Sequence, residues 1–324
     1  MSTKLITAII PCYNEEEVLP LFYERICEVA RRLAQAEFEF LFVNDGSKDR
    51  TLEILRALSR KDKRVRYLSF SRNFGKEAGM AAGLKEARGE YVVILDADLQ
   101  HPPEFLPEMF STLETGQFDC VGLYRKTRER GLRSALSRRF SKMIGRVSHM
   151  ELRAGATDFR MMTRQVVDCI LQMPEYNRFT KGIFGWVGFR TRWIGYENVE
   201  RAAGKTKWSM MGLFRYAVQG ITAFSTFPLT MASMMGILLC LLSVITALFH
   251  FFKALIWGDP VAGFPTLICV ILFIGGIQLL CIGVLGEYMA KTYLETKRRP
   301  LYFVQETDQS QKNSEVVGNQ FCHK

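Results

Sequence analysis

No pair of cysteines in this 324-residue chain has the Cys-x-x-Cys spacing of a zinc or redox site. The eight cysteines are scattered along the sequence, and three of them lie inside very apolar segments. The four histidines have no spacing to cysteine or carboxylate that would indicate a zinc site or a catalytic triad. The sequence therefore argues against a disulfide framework and against a zinc enzyme, and its cysteines are interpreted as reduced packing residues.

A signal-peptide pattern is also missing at the amino terminus. The first apolar run, LITAII at residues 5–10, is too short for the hydrophobic region of a signal peptide. Proline and an acidic run follow it, where a cleavage site would require small residues. The first domain, residues 1–208, is therefore expected to stay in the cytosol.

Charged residues are absent from two long stretches in the last third of the chain. Residues 229–252 and 264–286 contain no Asp, Glu, Lys or Arg. Each stretch exceeds the roughly 20 residues that a helix needs to cross the hydrocarbon core of a bilayer. Two buried core helices are the alternative interpretation, but no sequence remains to build the protein shell that would cover them. We therefore predict a transmembrane hairpin over residues 229–290.

The flanking charges predict the orientation of this hairpin. Four basic residues follow the second span, at positions 291, 297, 298 and 299, whereas the connector carries only Lys253. By the positive-inside rule, both ends of the hairpin face the cytoplasm. Residues 209–228 are predicted to form an amphipathic helix at the membrane surface. Residues 291–324 are predicted to be a cytosolic segment with a disordered tail after about residue 306.

The first 200 residues alternate short apolar runs with stretches of helical periodicity. The strand-like runs cover residues 5–10, 38–43, 65–70 and 91–96. A strand and a helix that repeat in this way predict an α/β domain with a mostly parallel, Rossmann-like sheet. Polar residues follow all four runs: Asn14, Glu15, Asp45, Arg72, Asn73, Asp96 and Asp98. Ligands bind beyond the carboxyl ends of such strands, so these side chains are expected to line one crevice.

The motif DADLQ, which follows the fourth strand, predicts a divalent metal site. Asp96, Asp98 and Gln100 offer hard oxygen ligands, which suit Mg²⁺ or Mn²⁺ and leave room for phosphate oxygens. An isolated Asp-x-Asp is also common in acidic turns. Asp45 precedes Gly46, and this pair alone is interpreted equally well as a turn with a helix cap. Together with the other strand ends, Asp45 is expected to contact a nucleotide base or ribose.

The net charge of +10 and a pI near 9.2 predict an anionic partner. Residues 124–146 carry nine Lys and Arg against one Glu. Nucleic-acid binding and a solvated helix face are alternatives for this segment, but the neighbouring spans favour lipid phosphates. Arg201 and Lys207 precede the surface helix and are expected to clamp phosphates at the membrane, while Asp158 lies beside Arg160 in a predicted loop.

Seven motifs occur in the order found in a known family. They are IIPCYNEEEVL, FVNDGSKDRT, DADLQHPPE, GATDFRMM, NRFTKGIFGWVG, GKTKWS and GEYMAKTYLETKRRPLY. The chain resembles the polyprenyl-phosphate glycosyltransferases, the dolichol-phosphate mannose synthase group of glycosyltransferase family 2. Within that group it is most similar to bacterial bactoprenol-phosphate glucosyltransferases, which have two carboxyl-terminal spans. The resemblance covers about residues 3–306 and implies a GT-A fold.

The resemblance implies an inverting transfer of one hexose from a UDP-sugar to undecaprenyl phosphate, with Mg²⁺ or Mn²⁺ as cofactor. UDP-glucose is the donor that it favours, and UDP-GlcNAc and UDP-galactose stay open. It implies that Asp158 is the catalytic base and that Asp98 is the direct metal ligand. The implied nucleotide-sugar contacts are Pro11, Tyr13, Glu15, Asp45 and Asp96. The acceptor phosphate is assigned to Arg125, Arg138, Ser141, Arg160, Arg201 and Lys207.

The resemblance also implies partners and a location: a multi-pass bacterial plasma-membrane enzyme with its catalytic domain in the cytoplasm. A homo-oligomer, with a tetramer among the options, is expected, as are a downstream flippase and a second glycosyltransferase; nucleic acid is not an expected partner. Two other classes of protein are alternatives. A processive polysaccharide synthase would show a Gln-x-x-Arg-Trp segment and more spans, and a non-catalytic scaffold would not need the metal motif.

Overall fold

The structure is a computed structural model that describes residues 3–126, 153, 155–197, 227–257 and 264–309. The chain divides into two compact units. The first comprises Met1–Trp208 together with Pro300–Lys324, and the second comprises Ser209–Arg299. Each unit is described by itself.

The first unit is an α/β domain built on one eight-stranded sheet. Its strands are β1 (Lys4–Cys12), β2 (Ala36–Asn44), β3 (Val65–Phe70), β4 (Tyr91–Ile94), β5 (Cys120–Arg125), β6 (Ala156–Thr163), β7 (Thr191–Tyr196) and β8 (Val304–Thr307). Its helices are α1 (Leu19–Arg32), α2 (Thr51–Lys61), α3 (Lys76–Glu86), α4 (Leu106–Glu114), α5 (Arg164–Leu171) and α6 (Thr180–Trp186). A 3₁₀ turn, Pro103–Phe105, precedes α4.

The strand order is β7-β5-β6-β4-β1-β2-β3-β8. The four central strands, β4, β1, β2 and β3, run parallel, and β5 is parallel to β7. Strands β6 and β8 run antiparallel to their neighbours. The predicted α/β architecture with a mostly parallel sheet is therefore confirmed, and each of the four predicted strands overlaps an observed one.

The apolar runs form strands because helices bury them on both faces. Ile6, Ile9 and Ile10 of β1 have no exposed surface. Helix α3 lies very close to β1, since a Cβ atom on Gly83 would stand 2.2 Å from Cγ2 of Ile9. This close packing fixes α3 over the sheet and brings its first residue to the carboxyl edge of the central strands.

Two features of the first unit differ from the sequence interpretation. Asp158 lies in strand β6 and not in a loop, because β6 pairs antiparallel with both β4 and β5. The chain after residue 300 also adds strand β8 to the edge of β3, which periodicity over four residues did not reveal. Glu306 of β8 pairs with Arg56 at 2.5 Å and accepts a hydrogen bond from the hydroxyl of Tyr67 at 2.6 Å.

The second unit contains two long helices, α7 (Phe227–Trp257) and α8 (Phe264–Thr296), of 31 and 33 residues. Within the described part of the chain, one helical stretch, Phe273–Thr296, is long and apolar enough to cross a membrane, with a mean hydropathy of 1.6. A shorter apolar stretch covers Phe227–Leu239. The second predicted span is not confirmed and stays a prediction. Residues 209–226 of the predicted surface helix lie outside the described residues.

Candidate active site at the carboxyl edge of the sheet

The carboxyl ends of the four central strands meet at one edge of the sheet, and β6 begins at the same edge. Ile94 of β4 pairs with Arg160 of β6 in antiparallel register. Asp96 lies two residues beyond Ile94, and Asp158 lies two residues before Arg160. The topology therefore places the first aspartate of the DADLQ motif beside the aspartate that the resemblance implies is catalytic.

A lysine bridges these two aspartates. Nζ of Lys76 lies 2.6 Å from Oδ1 of Asp96 and 2.7 Å from Oδ2 of Asp158. Nζ of Lys181 lies 4.0 Å from Oδ1 of Asp158. The side chains of Asp96 and Asp158 are 21% and 16% exposed, so the pairing takes place in a partly desolvated crevice. We call Lys76, Asp96 and Asp158 the carboxyl-end cluster.

Lys76 and Asp158 are charged at neutral pH. Burial alone would raise the pKa of Asp158, but Lys76 and Lys181 outweigh it and hold that pKa below its ordinary value. Burial alone would lower the pKa of Lys76, but Asp96 and Asp158 outweigh it and raise that pKa. Asp158 is therefore a carboxylate and Lys76 an ammonium ion.

The second half of the metal motif is held by strand β5. The backbone N–H of Gln100 donates to Oδ1 of Asp98 at 3.1 Å, and Oε1 of Gln100 accepts from the guanidinium of Arg125 at 3.3 Å. Nε of Arg125 also donates to the hydroxyl of Tyr196 at 3.4 Å. Leu99, between the two ligand candidates, has a φ of +57°, a conformation that is rare for leucine. Backbone strain of this kind clusters at ligand sites.

His101 borders the same crevice. It is 6% exposed, and Nδ1 lies 3.6 Å from Oδ2 of Asp96. Neither ring nitrogen has a hydrogen-bond partner among the residues that the structure describes. Burial lowers the pKa of His101, although the carboxylate of Asp96 opposes this effect, so the ring is neutral. Its ring packs against those of Phe159 and Tyr196.

Asp45 is tied to the loop that follows β3. Its two carboxylate oxygens accept hydrogen bonds from the backbone N–H groups of Phe74, at 2.6 Å, and Gly75, at 2.9 Å. Burial raises the pKa of Asp45, and these two hydrogen bonds partly offset the effect. Gly46 has a φ of +64°, and a Cβ atom there would stand 2.3 Å from the backbone of Arg72. Asp45 therefore holds the loop against the end of β2.

An open cleft of about 460 Å³ lies beside the end of β1. Its lining includes Asn14, Glu15, Glu16, Lys48 and Asp49. The side chain of Asn14 accepts a hydrogen bond from the N–H of Lys48, which joins the loops after β1 and β2. Among the predicted nucleotide contacts, Glu15 lines this cleft, Pro11 is half-buried in β1, and Tyr13 is 39% exposed.

The predicted acceptor residues are distributed differently. Arg125 lies in the site beside Gln100. Arg160 is buried, and its guanidinium lies 4.1 Å from the ring centre of Phe184 and 4.9 Å from that of Trp193. Four further candidates lie outside the described residues: Arg138, Ser141, Arg201 and Lys207.

This chain is similar in sequence to known proteins. The sequence profile of Glycosyl transferase family 2 matches residues 7–171. The putative glycosyltransferase CsbB of Bacillus subtilis is 41% identical over 308 residues, which cover 95% of this chain and 93% of that protein. The chain belongs to glycosyl transferase family 2. The predictions of family 2 membership and of glycosyltransferase activity are therefore confirmed.

Other family 2 relatives have more specific names. The prophage bactoprenol glucosyl transferase homolog of Escherichia coli is 41% identical over 92% of this chain and 98% of that protein. The bactoprenol glucosyl transferase of Shigella phage SfV is 40% identical over 94% of this chain and 99% of that protein. A solved structure, UDP-bound glucosyl-3-phosphoglycerate synthase from Mycobacterium tuberculosis, has a TM-score of 0.45 and 18% identity, over 68% of this chain and 79% of that one. This last similarity is too distant to inform the chemistry.

Asp96, Asp98 and Gln100 form the predicted donor set for a divalent cation. No group of three His, Cys, Asp or Glu with metal-binding geometry occurs among the described residues. Two carboxylates with an amide still fit Mg²⁺ or Mn²⁺, because these ions take few protein ligands and complete their shell with phosphate oxygens. Nζ of Lys76 lies 2.6 Å from Oδ1 of Asp96, so this carboxylate already accepts a positively charged partner.

Lys76 and Lys181 are the site residues that the sequence interpretation missed. Lys76 follows the third strand in RNFGKEAG, whose Arg72 and Asn73 drew attention to the strand end. Its position could have indicated a role in the site. Lys76 is the first residue of α3, where the helix dipole disfavours a cation unless acidic partners are close. Lys181 lies in NRFTKGIFGW, which identified the family but did not indicate a role for the lysine.

Proposed function

We propose that this family 2 enzyme transfers one hexose from a UDP-sugar to undecaprenyl phosphate at the cytoplasmic face of a bacterial membrane. The acid cluster at the carboxyl edge of the parallel strands carries this proposal, because family 2 membership alone leaves the site unspecified. UDP-glucose is the proposed donor, and two of the relatives named above support it, since they are called bactoprenol glucosyl transferases.

The second unit supports a lipid acceptor. Its helices expose large apolar side chains that water would disfavour, such as Met234 at 66%, Phe249 at 64% and Leu279 at 71%. Stretch Phe273–Thr296 is long enough to cross a bilayer. We propose that α7 completes a two-span anchor, which would make the enzyme multi-pass. An acceptor confined to the same bilayer would then reach the site by lateral diffusion.

The proposed reaction is a single displacement. An oxygen of the lipid phosphate attacks the anomeric carbon, a new C–O bond forms on the face opposite the leaving group, and the bond to the diphosphate breaks, which releases UDP. When bound at Asp96 and Asp98, a divalent cation would stabilise the charge on the departing diphosphate. Arg125 is positioned beside Gln100 and supplies a further positive charge to the crevice.

Asp158 is proposed to position groups and not to remove a proton. A general base works best when its pKa is near the operating pH, whereas Lys76 and Lys181 hold the pKa of Asp158 below its ordinary value. A phosphate monoester has a second pKa of about 6, so the acceptor is already mostly a dianion at cytosolic pH. The acceptor therefore needs little help from a base.

Labelled nucleotide sugars test this proposal. Membranes that contain the enzyme are incubated with UDP-glucose, UDP-GlcNAc or UDP-galactose and with undecaprenyl phosphate. A lipid that carries one glucose is the expected product. One GlcNAc or galactose would correct the donor, a polymer would indicate a processive synthase, and no product with any donor would contradict the proposal. Excess EDTA is expected to stop the transfer, and full activity in EDTA would exclude the metal.

A further inference from the structure

Lys76 is ion-paired with Asp96, which is one of the carboxylates that would bind the proposed metal. Its Nζ stands 2.6 Å from Oδ1 of Asp96, which is a direct charged hydrogen bond. The other oxygen of Asp96 faces the ring of His101 at 3.6 Å. Asp96 is therefore engaged through Oδ1 before any ligand arrives.

The position of Lys76 in α3 is unfavourable unless the two carboxylates compensate it. It is the first residue of an 11-residue helix, where the partial positive charge of the backbone N–H groups repels a cation. Glu77, its neighbour, is committed elsewhere, because its carboxylate accepts hydrogen bonds from the N–H and the hydroxyl of Thr180 in α6. The carboxylates of Asp96 and Asp158 thus offset the repulsion between the ammonium group of Lys76 and the helix dipole.

Lys76 and a divalent cation compete for the same carboxylate. A Mg²⁺ ion lies about 2.0–2.1 Å from its ligand oxygens, so it would stand close to the ammonium of Lys76 if both stayed on Asp96. Two cations at that separation repel each other strongly in a partly desolvated crevice. Lysine is suited to leave, since it is a point charge on a flexible stem and its side chain here is 42% exposed.

We propose that Lys76 is a built-in cation that holds Asp96 and Asp158 together in the metal-free enzyme and releases Asp96 when the divalent ion binds. The second carboxylate, Asp158, keeps the lysine in the site after the exchange. The metal then binds weakly by itself and more tightly together with a nucleoside diphosphate, whose phosphates ligate the ion and neutralise the added charge. This inference rests on the metal site of the proposed function.

Binding of Mn²⁺ tests the exchange without any transfer reaction. The full-length protein in detergent is titrated with Mn²⁺, and the free ion is measured by electron paramagnetic resonance, with and without UDP. In the absence of UDP, Lys76→Met is expected to bind Mn²⁺ about tenfold more tightly than the wild type, which is within the usual range for coupled sites. Lys76→Arg keeps the positive charge and is expected to resemble the wild type.

Lys181→Met is the matched control. It removes the same charge from the crevice, but Lys181 lies 4.0 Å from Asp158 and does not hold Asp96. A Lys76→Met protein that binds Mn²⁺ no more tightly than Lys181→Met would overturn the exchange while leaving the metal site intact. A wild-type protein that binds no Mn²⁺ even with UDP would overturn both the exchange and the metal site. The double variant Lys76→Met/Asp96→Asn is expected to lose the gain.

Discussion

Two clusters of paired charges lie toward the carboxyl and the amino ends of the parallel strands, on different strands of the same sheet. At the carboxyl end, Lys76 joins Asp96 and Asp158. Toward the amino end, NH1 of Arg66 in β3 lies 2.8 Å from Oε1 of Glu39 in β2. We call this second pair the amino-end cluster. Both clusters are ion pairs between basic and acidic side chains. They differ in burial, in the type of basic residue and in the number of directed hydrogen bonds.

The amino-end cluster is closed. The side chains of Arg66 and Glu39 are 10% and 9% exposed. Oε2 of Glu39 also accepts a hydrogen bond from the hydroxyl of Thr7 at 2.7 Å, and Arg66 donates to the backbone carbonyl of Glu86 at 3.1 Å. A guanidinium with several directed hydrogen bonds is held in one geometry. This cluster therefore stabilises the fold.

The carboxyl-end cluster is open, and its base is a lysine with a 42% exposed side chain. His101 beside it has two buried nitrogens without a hydrogen-bond partner among the described residues, but Nε of Arg66 in the amino-end cluster is also buried without one. Unmatched polar atoms therefore do not distinguish the two clusters, whereas side-chain exposure and the type of basic residue do. The buried arginine pair therefore supports the structure, and the more exposed lysine pair is the one that we propose supports binding.

Removal of the arginine at the amino end is expected to have the largest effect on stability. Arg66→Met leaves the carboxylate of Glu39 buried without its partner, and loss of one member of a buried pair costs about 3–5 kcal/mol. For a domain of this size the melting temperature should fall by about 10 °C. Thermal unfolding in detergent measures this change.

Lys76→Met is the matched variant at the other end, because it also replaces a cation with methionine. Its pair is more exposed, so the expected loss of stability is below about 1 kcal/mol. Equal melting temperatures for the two variants would remove the distinction between the clusters.

Asp98→Ala should have the largest effect on catalysis. Loss of one preorganised electrostatic group typically reduces turnover by about 10²–10³-fold. The rate of transfer to undecaprenyl phosphate and the affinity for UDP with Mn²⁺ should both fall, while the melting temperature stays near the wild-type value. Asp168→Ala is the control, because Asp168 is 57% exposed on α5 and pairs with Arg164 in its own helix. Wild-type transfer by Asp98→Ala would remove this residue from the site.

The sequence predicted the central part of this arrangement well. Four apolar runs indicated the four parallel strands, because strands buried on both faces need continuous apolar sequence. The acids that follow these runs meet at one edge for a topological reason, so Asp45, Asp96 and Asp98 were predicted without knowledge of side-chain geometry. Strand β6 was missed since GATDFRMM contains both a turn signal and charged residues.

Residues that act through contacts distant in sequence could not be predicted in the same way. Lys76 and Asp158 are separated by 82 positions, and only the packing of α3 on the sheet brings them together. Strand β8 becomes recognisable only through its pairing with β3, since its four residues VQET have no apolar pattern. Local sequence determines which elements form, whereas these partners depend on the tertiary fold.

Asp158→Asn should have a smaller effect than Asp98→Ala, because Asp158 positions Lys76 and does not take a proton in the proposed reaction. A loss of about 10- to 100-fold is expected, as is typical for groups that orient ligands. As the pH falls through about 6, the acceptor phosphate gains a proton and transfer should slow in the wild type and the variant alike. The pH profiles of kcat/KM measure this. An acid limb that disappears in Asp158→Asn would identify Asp158 as the titrating base.

Glu306→Gln should have a small effect on stability, and it tests a pair of intermediate exposure. Arg56 donates two hydrogen bonds to Glu306, at 2.9 and 2.5 Å, and this pairing lowers the pKa of the glutamate. The side chains of Arg56 and Glu306 are 35% and 20% exposed, so solvent weakens the pair. Glutamine retains one acceptor, and a loss of about 1 kcal/mol is expected.

Glu306→Gln also tests the loop after β3, which is hydrogen-bonded to Asp45. The segment before β8 packs against the start of this loop. The ring of Tyr302 stacks on Phe70 at 4.8 Å, and the carbonyl of Phe303 accepts a hydrogen bond from the N–H of Ser71 at 3.0 Å. A loosened β8 should therefore weaken UDP binding slightly as well as lower the melting temperature. Glu37→Gln, which alters an exposed glutamate of β2, is the control. If Glu306→Gln lowers the melting temperature but leaves UDP affinity unchanged, β8 stabilises the sheet edge without supporting the loop that follows β3.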